Sequence, residues 1–62
     1  MTRKRILQIL NGCEINSLEF GGVVGVNKGV IYMNGKVLNL TDSELVTLYH
    51  EYVAQELGDE YQ

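Results

Sequence analysis

Hydrophobic residues recur at helical spacing in the last third of the chain. Thr41 and Glu44, which stand three positions apart just before this region, have the spacing of a capping box at a helix N-terminus. Asp42 adds negative charge near the positive end of the helix dipole. Gly58 supplies a left-handed stop at the other end. The pattern therefore predicts a helix over 42–57.

The middle of the chain alternates in the manner of β-strands. Asn34-Gly35 is a preferred sequence of type I′ hairpin turns and predicts that Tyr32 pairs with Val37. Asn27-Lys28-Gly29 predicts an earlier three-residue loop with its glycine in the left-handed conformation. These two turns predict a three-stranded antiparallel β-meander.

The predicted registers sort the strand side chains onto two faces, because successive residues of a strand point to opposite sides. Both faces are mostly apolar, whereas an antiparallel sheet commonly keeps one face polar and solvated. Two apolar faces require two covers, so the second face is a candidate interface. The predicted faces are Val23, Gly25, Ile31, Met33, Leu38 and Leu40 on one side, and Val24, Val26, Val30, Tyr32, Val37 and Asn39 on the other.

Residues 3–12 fit two structures. The apolar positions of RKRILQIL have helical spacing, which predicts an amphipathic helix that ends at Asn11-Gly12. The alternative is a hairpin, because Asn11-Gly12 is also a type I′ turn signal between two apolar segments. The helix is the favoured interpretation.

Residues 15–20 alternate and extend the first strand of the meander, with Gly21-Gly22 as a bulge or bend. The elements together predict an α+β fold, with an N-terminal helix, the three-stranded meander and a C-terminal helix packed on one sheet face. We expect a single small domain over 1–62. The order helix, strands, helix is similar to that of small phage head–tail connector proteins, and this resemblance concerns the element order alone.

Chain length and cysteine content narrow the ways in which the fold can be stabilised. A chain of 62 residues buries only about 60% of the surface that its unfolded form exposes, and small domains usually need disulfides, a metal or a partner subunit. Cys13 is the only cysteine and His50 the only histidine, so a disulfide within the chain and a zinc ligand set are both excluded. Oligomerisation is the remaining way to stabilise so small a fold. No signal-peptide or membrane-span pattern is present, so we expect a cytoplasmic protein.

The segment LYHEY, residues 48–52, is the candidate for catalysis. At about 100° per residue on a helix, Tyr49 and Tyr52 share a stripe with the apolar residues, whereas His50 and Glu51 point elsewhere and away from each other. General acid–base catalysis needs its groups within hydrogen-bond reach of one substrate atom. The pattern therefore favours a protein that is not an enzyme. The glycine spacing also does not match a nucleotide-binding loop, so we expect no cofactor.

The same helix has an apolar arc that is wider than one sheet requires. The arc runs from Leu48 to Leu57 and covers about half of the circumference at 3.6 residues per turn. Its surplus edge, either Leu48 and Tyr52 or Val53 and Leu57, is available to a second surface, and tyrosine is enriched at interface cores. Leu48, Tyr49 and Tyr52 are therefore candidate partner-binding residues.

Charge is distributed unevenly along an acidic chain of formal net charge −3. All five basic residues lie in the first forty positions, and six of the eight acidic residues follow position 41. Arg3, Lys4, Arg5 and Lys28 are the candidate phosphate contacts of a nucleic-acid-binding regulator, which is the alternative function. The net negative charge of the chain argues against nucleic-acid binding.

The sequence thus predicts a non-enzymatic protein–protein interaction module that acts as a homodimer, without metal or cofactor. This profile is common among phage and mobile-element proteins that modulate or inhibit a host protein. Two alternatives to this interaction module remain, which are the nucleic-acid-binding regulator and a structural assembly subunit. The predicted partner-binding residues are Leu48, Tyr49, Tyr52, Val26, Tyr32 and Val37.

Overall fold

Two helices and one antiparallel sheet make up the part of the chain, residues 2–58, that the computed structural model describes. Strands β1 to β4 lie side by side in chain order, and every neighbouring pair is antiparallel. The α+β class, with a helix first and last, is confirmed. The elements are α1 (Arg3–Leu10), β1 (Glu14–Ser17), β2 (Gly22–Asn27), β3 (Val30–Met33), β4 (Lys36–Val37) and α2 (Asp42–Gly58).

Helix α2 begins where the sequence predicts, because its capping box forms. Thr41 Oγ1 accepts a hydrogen bond from the Glu44 backbone N–H at 3.2 Å, and Glu44 Oε1 accepts one from the Thr41 backbone N–H at 2.9 Å. Leu40 and Leu45, one residue outside each end of the box, are both buried. The helix extends to Gly58, one residue beyond the predicted end.

The N-terminal segment is a helix and not a hairpin strand. Thr2 is its N-cap, and the Thr2 hydroxyl accepts from the Arg5 backbone N–H at 3.2 Å. Ile6 and Leu10 are the buried residues of α1. Gly12 has a φ of 80°, which permits the sharp exit from the helix, and its N–H donates to the Val26 carbonyl at 2.7 Å.

The described residues contain four strands, so the prediction of three is corrected. The chain does not continue as one bent strand from residue 15 onward, because β1 ends at Ser17 and a turn leads into β2. Gly21 has a φ of 80°, which a glycine adopts readily. The bend predicted at Gly21-Gly22 is therefore a full chain reversal, and Ile15 pairs with Val24 across the new hairpin.

The turn between β2 and β3 has two residues rather than the predicted three. Lys28 and Gly29 both have positive φ, at 51° and 76°, and Asn27 pairs with Val30 instead of lying in the loop. The turn between β3 and β4 matches its prediction. Its Asn34-Gly35 pair also has two positive φ values, at 57° and 76°, as a type I′ turn requires.

A one-residue error in register reverses every side chain of β2 relative to β3. Val26 pairs with Ile31, so the predicted face that joined Val26 to Tyr32 and Val37 is wrong. The observed register places Ile31 on the same face as Val24 and Val26, and all three are buried, whereas the predicted register places Ile31 on the opposite face. Burial of a valine or isoleucine side chain is worth roughly 1.5 kcal/mol or more, so the collection of all three on the helix-covered face favours the observed register.

Both helices pack on the same face of the sheet. Helix α2 contacts β1 and also α1, so the predicted position of the C-terminal helix on one sheet face is confirmed. Neither helix within the described range is both long and apolar enough to cross a membrane. The core residues are Ile6, Leu10, Ile15, Val24, Val26, Ile31, Leu40, Leu45 and Leu48.

Candidate interaction surfaces

The side of the sheet that faces away from the helices, here called the outer face, has no cover within residues 2–58. Its apolar side chains are exposed: Val37 is 58% accessible, Val23 52% and Tyr32 37%. Tyr32 stands directly opposite Gly25 on one side and Val37 on the other, so these residues form a row across three strands. The outer face comprises Glu14, Asn16, Val23, Gly25, Asn27, Val30, Tyr32 and Val37.

Three of the predicted partner-binding residues belong to the sheet, and the structure separates them. Tyr32 and Val37 lie together on the outer face, as the Asn34-Gly35 turn predicts. Val26 lies on the opposite, helix-covered face and is 3% exposed. A partner that docks on the folded chain cannot reach it. Val23 takes its place on the outer face.

The predicted partner-binding residues of α2 also have different positions. Leu48 is completely buried, so it belongs to the core of the folded chain and is closed to a partner. Tyr49 and Tyr52 are half-buried and pack against this core. The apolar arc is wide because α2 covers α1 as well as β1. The other edge of the arc, at Leu57, lies outside the described side chains.

Tyr52 lies beside Cys13, the single cysteine. The neighbouring Cys13 thiol, through its charge when ionised, raises the pKa of the Tyr52 phenol above its ordinary value of 10.0, and the Glu56 carboxylate adds to the effect. Cys13 is half-buried, and its sulfur is 4.0 Å from the Ile9 carbonyl oxygen. A raised pKa keeps the phenol neutral, which makes Tyr52 a poor candidate for a base.

Glu51 holds the turn between β1 and β2, a role that the sequence did not suggest. Its Oε1 accepts a hydrogen bond from the Ser17 hydroxyl at 2.6 Å. Its Oε2 accepts from the backbone N–H groups of Leu18, at 2.9 Å, and Glu19, at 3.3 Å. Ser17 is 2% exposed, so the carboxylate satisfies a buried hydroxyl as well as two turn amides.

Gln55, one helical turn after Glu51, covers the edge of the sheet. Its amide oxygen accepts from the Asn16 backbone N–H at 3.2 Å, and its amide nitrogen donates to the Asn16 carbonyl at 2.7 Å. The side chain thus replaces a neighbouring strand at this position of β1. The spacing of Glu51 and Gln55 places them on one helix face, and this is the signal from which a shared role could have been predicted.

Helix α1 and the β2–β3 turn line an open groove of about 640 Å³, here called the basic groove. Asn11 Oδ1 accepts from the Lys28 backbone N–H at 2.8 Å and ties the turn to the end of α1. Three of the four predicted nucleic-acid contacts line the groove, and Arg5 does not. The lining residues are Arg3, Lys4, Leu7, Gln8, Asn11, Lys28 and Gly29.

No assembled catalytic or metal-binding set is found among the described residues. No three histidine, cysteine, aspartate or glutamate side chains gather there as metal ligands. The rings of Tyr49 and His50 lie 6.2 Å apart and tilted, and His50 is exposed, whereas Glu51 is engaged with the β1–β2 turn. The polar side chains of the LYHEY segment therefore do not converge on one point of the surface.

Comparison of the chain with protein-family models, curated proteins and solved structures finds no match.

Proposed function

We propose that this protein is a small, non-enzymatic interaction module that self-associates as a homodimer through the outer face of its sheet. The observation that carries the proposal is the exposed apolar row of Tyr32 and Val37, together with Val23 beside it. Contiguous apolar surface on a soluble chain marks interaction sites. Tyrosine is also among the residues that contribute most to binding at interfaces.

A second copy fits this face because the face is almost uncharged. Glu14 is the only charged residue among the eight that define it. A two-fold contact brings the same patch of both copies together, so a patch with many charges of one sign would repel itself. Two sheets can also pack face to face about 10 Å apart, with interdigitated side chains between them.

Charge substitutions test the proposal. Val37→Glu on the outer face is expected to convert a dimer into a monomer, because it buries two unpaired carboxylates in a two-fold contact. Leu18→Glu is the matched control, since Leu18 is 92% exposed at the β1–β2 turn and lies off the outer face. Sedimentation equilibrium at several protein concentrations measures both variants, and circular dichroism verifies that they remain folded.

Two results would contradict the proposal. One is a wild-type protein that stays monomeric at high micromolar concentration while cooperatively folded. The other is an equal loss of self-association in Val37→Glu and Leu18→Glu. Val26→Glu does not test the interface, since it places a charge in the core and is expected to unfold the chain. The wider role, as a phage-type modulator or inhibitor of a host protein, stays a prediction.

A further inference from the structure

The basic groove combines positive charge with an apolar floor. Lys4 and Lys28 are exposed, come from segments 24 residues apart, and take part in no ion pair within residues 2–58. Arg3 is already engaged, because one of its guanidinium nitrogens donates to the Leu40 carbonyl at 2.9 Å and lies 3.2 Å from the Asp42 carboxylate. The two lysines therefore provide the uncompensated charge of the groove.

The floor of the groove suits an aliphatic side chain. Leu7 is half-buried, with one side packed against the core and the other toward the groove. The stems of Lys4 and Lys28 can cover apolar surface while their ammonium groups remain in water. No carboxylate of residues 2–58 lines the groove. Its charge and shape thus complement a ligand that carries both carboxylates and a small apolar group.

We propose that the basic groove binds an acidic peptide segment of a partner protein. Carboxylates of the segment pair with Lys4 and Lys28, and an apolar side chain between them contacts Leu7. A nucleic acid fits less well, because the described residues that line the groove include no aromatic side chain on which a base could stack, and the chain as a whole is acidic. The groove shares no residue with the outer face, so this site does not depend on self-association.

Fluorescence anisotropy with a labelled peptide of sequence Glu-Glu-Leu-Glu-Glu-Leu-Glu tests the site. The matched peptide Glu-Glu-Gln-Glu-Glu-Gln-Glu keeps the charge and removes the apolar side chains. We expect the leucine peptide to bind more tightly, and its affinity to fall as salt is added, because exposed charges are screened. Failure of the leucine peptide to bind, or equal binding of both peptides, would overturn the proposal.

Two pairs of variants locate the binding. Lys28→Glu and Lys4→Glu are each expected to weaken binding of the leucine peptide about tenfold, because each replaces an attraction with a repulsion. Lys36→Glu and Arg5→Glu change the net charge equally but lie outside the groove, and should alter affinity by less than about twofold. Equal losses in both pairs would mean non-specific charge attraction and would reject the site.

The same variants distinguish a loss of binding from a loss of folding. A glutamate in place of Lys4 lies near the positive end of α1, where negative charge favours a helix, so this variant is expected to stay folded. Circular dichroism melting verifies this for each variant. A single-stranded DNA of the same charge is the competitor. If it binds the groove more tightly than the leucine peptide and depends on Lys4 and Lys28, the ligand is nucleic acid and the proposal is wrong.

Discussion

At the scale of single residues, a carboxylate on α2 determines how the β1–β2 hairpin closes. The Glu51 carboxylate accepts hydrogen bonds from the Ser17 hydroxyl and from the two backbone N–H groups that follow it in the turn. Hydrogen bonds to charged groups are stronger than those between neutral groups. Ser17 and Glu51 are 34 residues apart, so no local pattern in the sequence reveals this contact. The LYHEY segment was the candidate for catalysis, whereas its glutamate stabilises the β1–β2 turn.

Glu51→Ala is expected to destabilise the fold by about 2 kcal/mol, because it leaves the buried Ser17 hydroxyl and the turn amides without their acceptor. Urea titration followed by circular dichroism measures the change in the free energy of unfolding. Glu19→Ala is the matched control, since its side chain is exposed and only its backbone N–H contacts Glu51. Similar unfolding midpoints for both variants would mean that the carboxylate does not stabilise the hairpin.

At the scale of elements, local chemistry predicts the parts of this fold that depend on neighbouring residues. The capping box of Thr41 and Glu44 and the Asn34-Gly35 turn are both observed, because each is completed within a few residues. The Lys28-Gly29 turn is different. A non-glycine residue in the left-handed region costs roughly 1–2 kcal/mol, and the sequence favours a longer loop. Core burial and the Asn11 hydrogen bond offset that cost.

Gly25 is the weak point of the central strands and offers a test at this scale. A Cβ built at Gly25 meets nothing within 4 Å, so an alanine fits there without a clash. Gly25→Ala is expected to stabilise the fold by about 0.5 kcal/mol, because it reduces the freedom of the unfolded chain. Thermal unfolding at a low, fixed protein concentration measures the effect.

Gly35→Ala is the contrasting variant. Its added Cβ also meets no atom within 4 Å, but Gly35 has a φ of 76°. The substitution is therefore expected to destabilise the fold by about 1 kcal/mol, since alanine does not favour the left-handed region. Changes of opposite sign in the stability of Gly25→Ala and Gly35→Ala would support the observed backbone conformations. Shifts of the same sign would contradict them.

At the scale of the whole molecule, the chain forms two layers, with two helices on one face of a sheet and nothing described on the other. The sequence correctly predicts that both sheet faces carry apolar side chains. It does not predict which face is the core, because that choice depends on a one-residue difference in a single turn. The exchange of Val23 and Val26 between the two faces follows from this difference alone.

A dimer that covers the outer face makes stability depend on concentration. Because a second copy binds only the folded chain, association opposes unfolding by mass action. The thermal midpoint of the wild type is expected to rise by several degrees over a hundredfold increase in concentration, whereas that of Val37→Glu stays constant. Differential scanning calorimetry measures both. A wild-type midpoint that does not depend on concentration would count against a dimer coupled to folding.

The contact of Gln55 with the edge of β1 has a kinetic consequence. Each hairpin joins strands that are neighbours in the chain, and an isolated hairpin forms in roughly 1–10 μs. Asn16 obtains its partner only when a side chain 39 residues later docks. During refolding, β1 therefore presents unpaired backbone groups to other chains until α2 arrives, and such an edge is a template for intermolecular strand pairing. The contact of Gln55 with Asn16 thus protects the edge of β1 from intermolecular pairing once α2 is in place.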